Sequence, residues 1–132
     1  MRIFTTYLLL FAVFISCEKL DEAKQPPSNS ELQGKWELQS ASCFCFFEDD
    51  FDFGAHKLEF NANETEVSIE NSDDTFFVTG AGTYQIIVEG NLISIKENVE
   101  YTYKIQGETL TLNFVDNPQI ADDEISLIYS KI

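Results

Sequence analysis

From residue 34 onward, the sequence consists of short segments in which apolar and polar residues alternate. The clearest is segment 99–105, in which Val99, Tyr101, Tyr103 and Ile105 alternate with polar residues. Alternation with a period of two is typical of a β-strand that buries one face. The same pattern predicts further strands at 35–42, 56–60, 66–70, 76–88, 92–96, 109–114 and 124–131.

Turn-forming residues separate these segments. The pair Gly90-Asn91 predicts one tight hairpin, and a second follows Gln106. Segment 76–88 is longer than the others and is expected to bend at one of its glycines. Short strands joined mostly by hairpins predict an all-β domain. We therefore expect an eight-stranded antiparallel up-and-down barrel, because each strand then pairs with the next and closure leaves no exposed edge.

The N-terminal residues predict export. Residues 1–16 contain Arg2 as their only charge, an apolar run at 8–15 and a small residue at the end. This is the pattern of a cleaved signal peptide, and the run is too short for a membrane span, which needs roughly 20 residues. Residues 17–30 are polar and contain two adjacent prolines, which predicts a disordered tether. The barrel domain is then 31–132.

The end of the leader resembles a bacterial lipobox, in which a small residue precedes a cysteine. The matching residues are Ser16 and Cys17, whereas Phe14 stands where leucine is usual. The resemblance implies cleavage before Cys17 and attachment of diacylglycerol and a further acyl chain, such as palmitate. Several acyl chains on one residue anchor stably where a single chain is marginal. The expected location is the cell envelope, in the outer membrane, on its periplasmic or outer face. Ordinary cleavage nearby, with Cys17 incidental, is the alternative.

Charge limits the choice of partners. The chain has 8 Lys and Arg against 23 Asp and Glu, a formal net charge of −15. Such a surface repels phosphate backbones, so we expect no nucleic-acid partner. It also disfavours lying flat on anionic headgroups. The expected partners are the membrane through lipid on Cys17, a small apolar ligand and an envelope protein.

The start of the domain resembles the glycine-x-tryptophan opening of lipocalins and related calycins. The motif is Gly34-Lys35-Trp36, and segments 82–86 and 101–112 resemble small lipocalin-like lipoproteins common in Bacteroidetes. The resemblance covers the chain from residue 32 to the C-terminus. It implies that Trp36 plugs one end of the barrel, with Lys131 as the candidate for a late basic residue packed over it. Barrels of eight strands either fill with side chains or hold one small ligand.

Aromatic and histidine side chains on the inward faces are candidates for a ligand cavity. A ring with a hydroxyl suits an amphipathic ligand, although ordinary core filling is the alternative. His56 is either a polar group inside the cavity or a strand-end histidine that reaches solvent or bonds backbone, and we prefer the second interpretation. The candidate cavity residues are Trp36, His56, Tyr84, Tyr101 and Tyr103.

Acidic and aromatic residues share the connection between the first two predicted strands. Their spacing does not match a calcium-binding EF-hand loop, because Phe53 separates the last carboxylate from Gly54. We therefore expect neither a metal nor a cofactor here. Exposed phenylalanines on a loop are typical of a contact surface or a lid. The candidate contact residues are Phe47, Asp49, Asp50, Phe51, Asp52 and Phe53.

Cys43 and Cys45 are the cysteines that remain for the domain. In an oxidising compartment they either close a small strained ring or stay reduced and buried as small apolar side chains. We prefer a structural role, because a zinc site would need further ligands and His56 is not at ligand spacing.

The chain has no G-x-S-x-G or comparable catalytic motif, so we do not expect an enzyme. The sequence predicts a lipid-anchored envelope protein whose barrel binds a small apolar or amphipathic molecule. The alternative is a filled barrel that contacts another envelope protein through its aromatic and acidic loop.

Overall fold

A computed structural model describes residues 31–72, 75–115 and 125–132, which form a closed barrel of eight antiparallel strands. The strands are β1 Gly34–Ser42, β2 Lys57–Phe60, β3 Glu66–Glu70, β4 Gly82–Glu89, β5 Leu92–Ile95, β6 Glu100–Gln106, β7 Thr109–Phe114 and β8 Ser126–Lys131. Each strand pairs with the next and β8 pairs with β1. The predicted up-and-down barrel is confirmed. Cys17 and the predicted segments 1–16 and 17–30 lie outside the described residues.

Strand β1 closes the barrel. Its first half pairs with β2, with Trp36 opposite Leu58, and its second half pairs with β8, with Ala41 opposite Leu127. The register with β8 shifts between Leu38 and Ser40, as at a β-bulge. A bulge bends and twists a strand, which allows one long strand to serve two neighbours in a closed sheet.

The alternating strand directions place the connections at two ends. We call one end the mouth, with connections 43–56, 71–81, 96–99 and 115–125. We call the other the base, with segment 31–33 and connections 61–65, 90–91 and 107–108. The nine residues of β1 span about 30 Å along the strand. With the usual strand tilt, the ends are about 22 Å apart along the barrel axis.

Inward side chains from all strands fill the barrel. Trp36, Leu110 and Leu127 have no exposed surface, and Tyr101 and Tyr129 have almost none. A void wide enough for water would leave exposed area on the side chains around it. The space among these side chains is therefore packed, as in the interior of an ordinary globular domain.

Two hairpins at the base follow the predicted turns. Glu89 pairs with Leu92, so the turn has two residues, and Gly90 at its first position has φ +61°. Gln106 pairs with Thr109 in the same way, with Gly107 at φ +60°. Glycine adopts this conformation without the steric cost that a Cβ imposes.

The predicted strand 76–88 is wrong in its first part, because β4 begins at Gly82. Residues before it form bends instead, and Phe77 and Val78 pack against the core. The hydroxyls of Tyr84 and Tyr101 donate to the carbonyls of Gly80 and Phe77, at 2.8 and 3.3 Å. These bonds hold the connection across the mouth. Among the described residues, no helix is long and apolar enough to cross a membrane.

Candidate functional site at the barrel mouth

Trp36 closes the base of the barrel. Its indole Nε1 donates to the carbonyl of Leu32 at 2.7 Å, and Lys131 Nζ lies 5.1 Å from the ring centroid. Glu64, only 5 % exposed, accepts from the amide of Leu32 at 3.2 Å. Burial raises the pKa of the Glu64 carboxyl, although this backbone donor opposes the shift. The segment that leads into β1 is thus fixed at the base.

The five candidate cavity residues do not surround one space. Trp36 and Tyr103 lie towards the base, where the Tyr103 hydroxyl donates to Gly90 O at 3.1 Å. His56 and Tyr84 lie at the mouth, and Tyr101 lies in the packed core. Burial raises the pKa of Tyr101 to about 12, which keeps its hydroxyl protonated as a donor. The tyrosine hydroxyls of this set bond backbone carbonyls, which places them in core filling and loop attachment.

Aromatic rings close the mouth in a cluster that we call the aromatic plug. Neighbouring ring centroids are 4.7 to 6.3 Å apart, within the range of favourable aromatic pairs. The members are Phe47, Phe51, Phe53, His56 and Phe77. Three of the candidate contact phenylalanines are therefore half-buried in this cluster, and Phe53 also packs against the core.

His56 joins two mouth connections. The amide Nδ2 of Asn71 donates to Thr79 O at 2.9 Å, so its Oδ1 faces the imidazole Nδ1 at 3.2 Å. Nδ1 must then carry the proton and donate to Asn71, which leaves Nε2 to accept from the Ser72 hydroxyl at 3.2 Å. The preferred interpretation of His56 is wrong: the ring neither reaches solvent nor bonds backbone, because two side chains use both nitrogens.

The hydrogen-bonded series Ser72–His56–Asn71 has the connectivity of a nucleophile, a base and a group that orients the base. The imidazole is 2 % exposed and packs against Phe51 and Phe77. The network joins His56, next to the start of β2, to the 71–81 connection.

The exposed part of the mouth lies outside the plug. Phe44 is 91 % exposed, Phe46 is fully exposed and Phe76 is 66 % exposed. We call these three the outer phenylalanines. Cys43 and Cys45 form a disulfide, with Cα atoms 5.2 Å apart. Phe44 lies between the two bonded cysteines, and its side chain points to solvent.

A pocket of about 560 Å³ lies at the mouth, and Phe46 is the outer phenylalanine in its lining. Ligand pockets commonly measure roughly 300–1,000 Å³. The lining combines rings and carboxylates of the 43–56 connection with Thr75 of the 71–81 connection. The residues are Cys45, Phe46, Phe47, Glu48, Asp50, Phe51 and Thr75.

Negative charge concentrates at the mouth. Glu48, Asp49, Asp50 and Asp52 are all exposed. Among the described residues, the mouth connections contain five Asp and Glu and one Lys, whereas the base connections contain three Asp and Glu. Within the described part of the chain, no three His, Cys, Asp or Glu are grouped to hold a metal ion. The carboxylates form a diffuse negative field at one end of the barrel.

A scan of the chain against protein-family models matches no family, and a search of curated proteins returns no match. Function must therefore be argued from the geometry of the mouth.

Sequence reasoning missed several residues of the mouth. Phe76 and Phe77 fall within the predicted strand 76–88, and Asn71 and Ser72 fall between two predicted strands, so the pattern marks none of them as a site residue. The useful indication is topological: in an up-and-down barrel, alternate connections meet at the same end. The 43–56 and 71–81 connections had to be neighbours, which brings their aromatic and polar residues together.

Proposed function

We propose that this chain is a lipid-anchored envelope protein that docks another envelope protein at its mouth. The observation that carries the proposal is the exposure of the outer phenylalanines beside an ordered aromatic plug. Burying one phenylalanine side chain contributes roughly 1.5–3 kcal/mol. Large apolar side chains left in water at one end of a monomer favour an interaction site there. We propose no catalytic role for the chain.

The packed interior supports docking over ligand storage inside the barrel. The inward side chains already occupy the space that a ligand would need, and the inward tyrosine hydroxyls donate to backbone carbonyls. The contact of Lys131 with Trp36 at the base supports the lipocalin resemblance. The resemblance concerns the architecture of the barrel, whereas the proposed functional surface lies on the loops at the mouth.

The path of the chain supports an orientation. The chain enters the barrel at the base, where Leu32 bonds Glu64 and Trp36. The composition of residues 17–30 predicts a disordered tether, and a flexible chain of that length would have a root-mean-square extension of about 20 Å. An anchor at Cys17 would therefore hold the base near the membrane, and the mouth would face away from it.

The anchor is tested by Cys17→Ala. We expect the variant to leave the membrane fraction and appear in the soluble fraction of host cells, because the lipidated thiol is lost. Unchanged fractionation with membranes would rule out lipid on Cys17. Cys43→Ala serves as the control, since its loss removes a cysteine without touching the leader.

Docking is tested by replacing the three outer phenylalanines with serine. In native electrophoresis of detergent-solubilised envelopes, we expect the wild type in a complex larger than the monomer and the triple variant at monomer size. Ile87→Ser/Ile128→Ser is the matched control, because both residues are exposed on the barrel wall. A complex that survives loss of the outer phenylalanines would contradict docking at the mouth.

A small amphipathic ligand is the second candidate, favoured by the pocket of about 560 Å³. Native mass spectrometry of protein purified from its own host should then show a bound small molecule, and Phe51→Ala should reduce its occupancy. A spectrum with the mass of the lipidated chain alone would exclude this second candidate and leave the docking proposal standing.

A further inference from the structure

Resting on the proposed docking function, we infer that the mouth pocket receives a lysine or arginine side chain from a partner segment with apolar flanking residues. The inference names the chemistry of the partner at the same surface. The pocket supplies complementary groups for both parts of such a segment. Its carboxylates face the cation, and the exposed Phe46 in its lining faces the apolar neighbours.

The pocket lining suits a long basic side chain. Phe46, Phe47 and Phe51 offer rings to the methylene stem, while Glu48 and Asp50 offer oxygen acceptors to the charged group. Lysine and arginine bury their stems on apolar surface while the charged end keeps polar partners. A cation over an aromatic face is also attracted by the ring electrons.

Several lysines of the described residues are engaged outside the pocket. Lys57 Nζ donates to Gly54 O at 2.6 Å, and Lys96 Nζ lies 4.3 Å from the Tyr84 ring centroid. Among the described residues, the salt bridges join Lys35 to Glu70 and Lys57 to Glu37. Neither bridge uses a carboxylate of the pocket, so a cation from a partner would meet acceptors that the described salt bridges leave available.

The charge distribution at the mouth disfavours other occupants of the pocket. A mouth with exposed carboxylates at Glu48, Asp49, Asp50 and Asp52 repels a second copy of the same acidic end. It also disfavours insertion of Phe44 into an anionic membrane surface. A basic segment is attracted at long range, which speeds its encounter with the mouth. Charge complementarity therefore selects the basic partner.

The test uses the intact lipidated chain in nanodiscs of neutral phosphatidylcholine. The probe is a fluorescent peptide that alternates arginine and phenylalanine, and the matched peptide alternates glutamate and phenylalanine. Anisotropy is measured at about 0.15 M salt, where distant charges are screened. The mouth variant is Glu48→Lys/Asp50→Lys, and the base control is Glu89→Lys/Glu108→Lys, which changes the net charge equally.

We expect the basic peptide to bind the wild type and the base control, and to bind the mouth variant at least about tenfold more weakly. The acidic peptide should bind only the mouth variant. Equal weakening in both variants would overturn the inference, because net charge alone would then explain binding. Equal binding to empty nanodiscs, or binding of the acidic peptide to the wild type, would also overturn it.

The outcome separates the two levels of the proposal. If the basic peptide fails to bind while the native complex still depends on the outer phenylalanines, docking stands and the partner chemistry is wrong. If the complex persists in the triple serine variant, the docking proposal itself fails. Emission from Trp36, whose ring is fully buried, should remain unchanged in both lysine variants and so verifies that they fold.

Discussion

At the mouth, the His56 ring is held between Asn71 Oδ1 and Ser72 Oγ, both at 3.2 Å. The carbonyl of the same histidine accepts from the amide of Leu38, so the residue connects β1, the start of β2 and the 71–81 connection. A buried polar group whose hydrogen bonds are all formed stabilises one arrangement of the chain. If one partner is removed, the remaining buried group has no hydrogen bond, and the folded state loses stability.

His56→Phe should destabilise the domain by about 1–3 kcal/mol, because Asn71 and Ser72 lose their partner while the ring packing persists. Urea unfolding followed by Trp36 fluorescence measures the change in the free energy of unfolding. A double-mutant cycle with Asn71→Ala should give a combined loss well below the sum of the single losses. Additive losses would show that the two side chains do not interact.

Glu64 gives a pH dependence with a defined sign. Burial raises the pKa of this carboxyl above its ordinary value of 4.5, so the folded state binds the proton more tightly than the unfolded state. Stability from this group is present below pH 4.5 and is lost as the pH rises through the raised pKa. Glu64→Gln keeps an acceptor for the Leu32 amide and removes the titration.

The measurement is the free energy of unfolding of Glu64→Gln minus that of the wild type across pH 4 to 7. We expect this difference to increase as the pH rises. Glu70→Gln is the control with the opposite sign, because the hydrogen bond from Lys35 lowers the pKa of Glu70 and its stabilisation is lost on acidification. A flat difference for Glu64→Gln would contradict the burial argument.

Among the elements, the hairpin between β4 and β5 depends on backbone conformation alone. Gly90 has φ +61°, and a Cβ built there would meet no atom within 4 Å. Any cost of a side chain at this position is therefore a cost of the left-handed conformation. That cost is larger for alanine than for asparagine, which visits this region more readily.

Gly90→Ala should lower stability by about 1–2 kcal/mol, and Gly90→Asn by less. Thermal unfolding followed by circular dichroism ranks the variants by stability. Asn91→Ala is the neighbouring control, because Asn91 lies outside the positive-φ region. An alanine variant as stable as the wild type would show that the turn does not need a positive φ.

The strands differ in how far their sequence determines them. β3 and β7 occupy 66–70 and 109–114, as their alternation predicts, because each has one face in the core and one in water. Segment 76–88 contains apolar residues without a complete strand, because Phe77 is drawn into the aromatic plug. The plug depends on rings from two distant connections, and local periodicity contains no information about that contact.

The whole molecule is polarised along the barrel axis. The base combines the chain entry, Trp36 and Lys131, while the mouth combines exposed phenylalanines with most of the loop carboxylates. The barrel fold could be predicted from its hairpins. The different roles of the two ends could not be predicted, because the sequence does not show which phenylalanines enter the aromatic plug. Phe47, Phe51 and Phe53 are half-buried in the aromatic plug, and Phe44 and Phe46 remain in water.

The central claim is that the mouth, and not the barrel wall, meets a partner protein. Site-specific photocrosslinking in host cells tests it most directly, with benzoylphenylalanine placed at Phe44 or at Ile87, an exposed apolar residue on the outer face of β4. We predict a discrete protein adduct from position 44 and none from position 87. The same adducts from both positions, or only lipid adducts from position 44, would contradict the account.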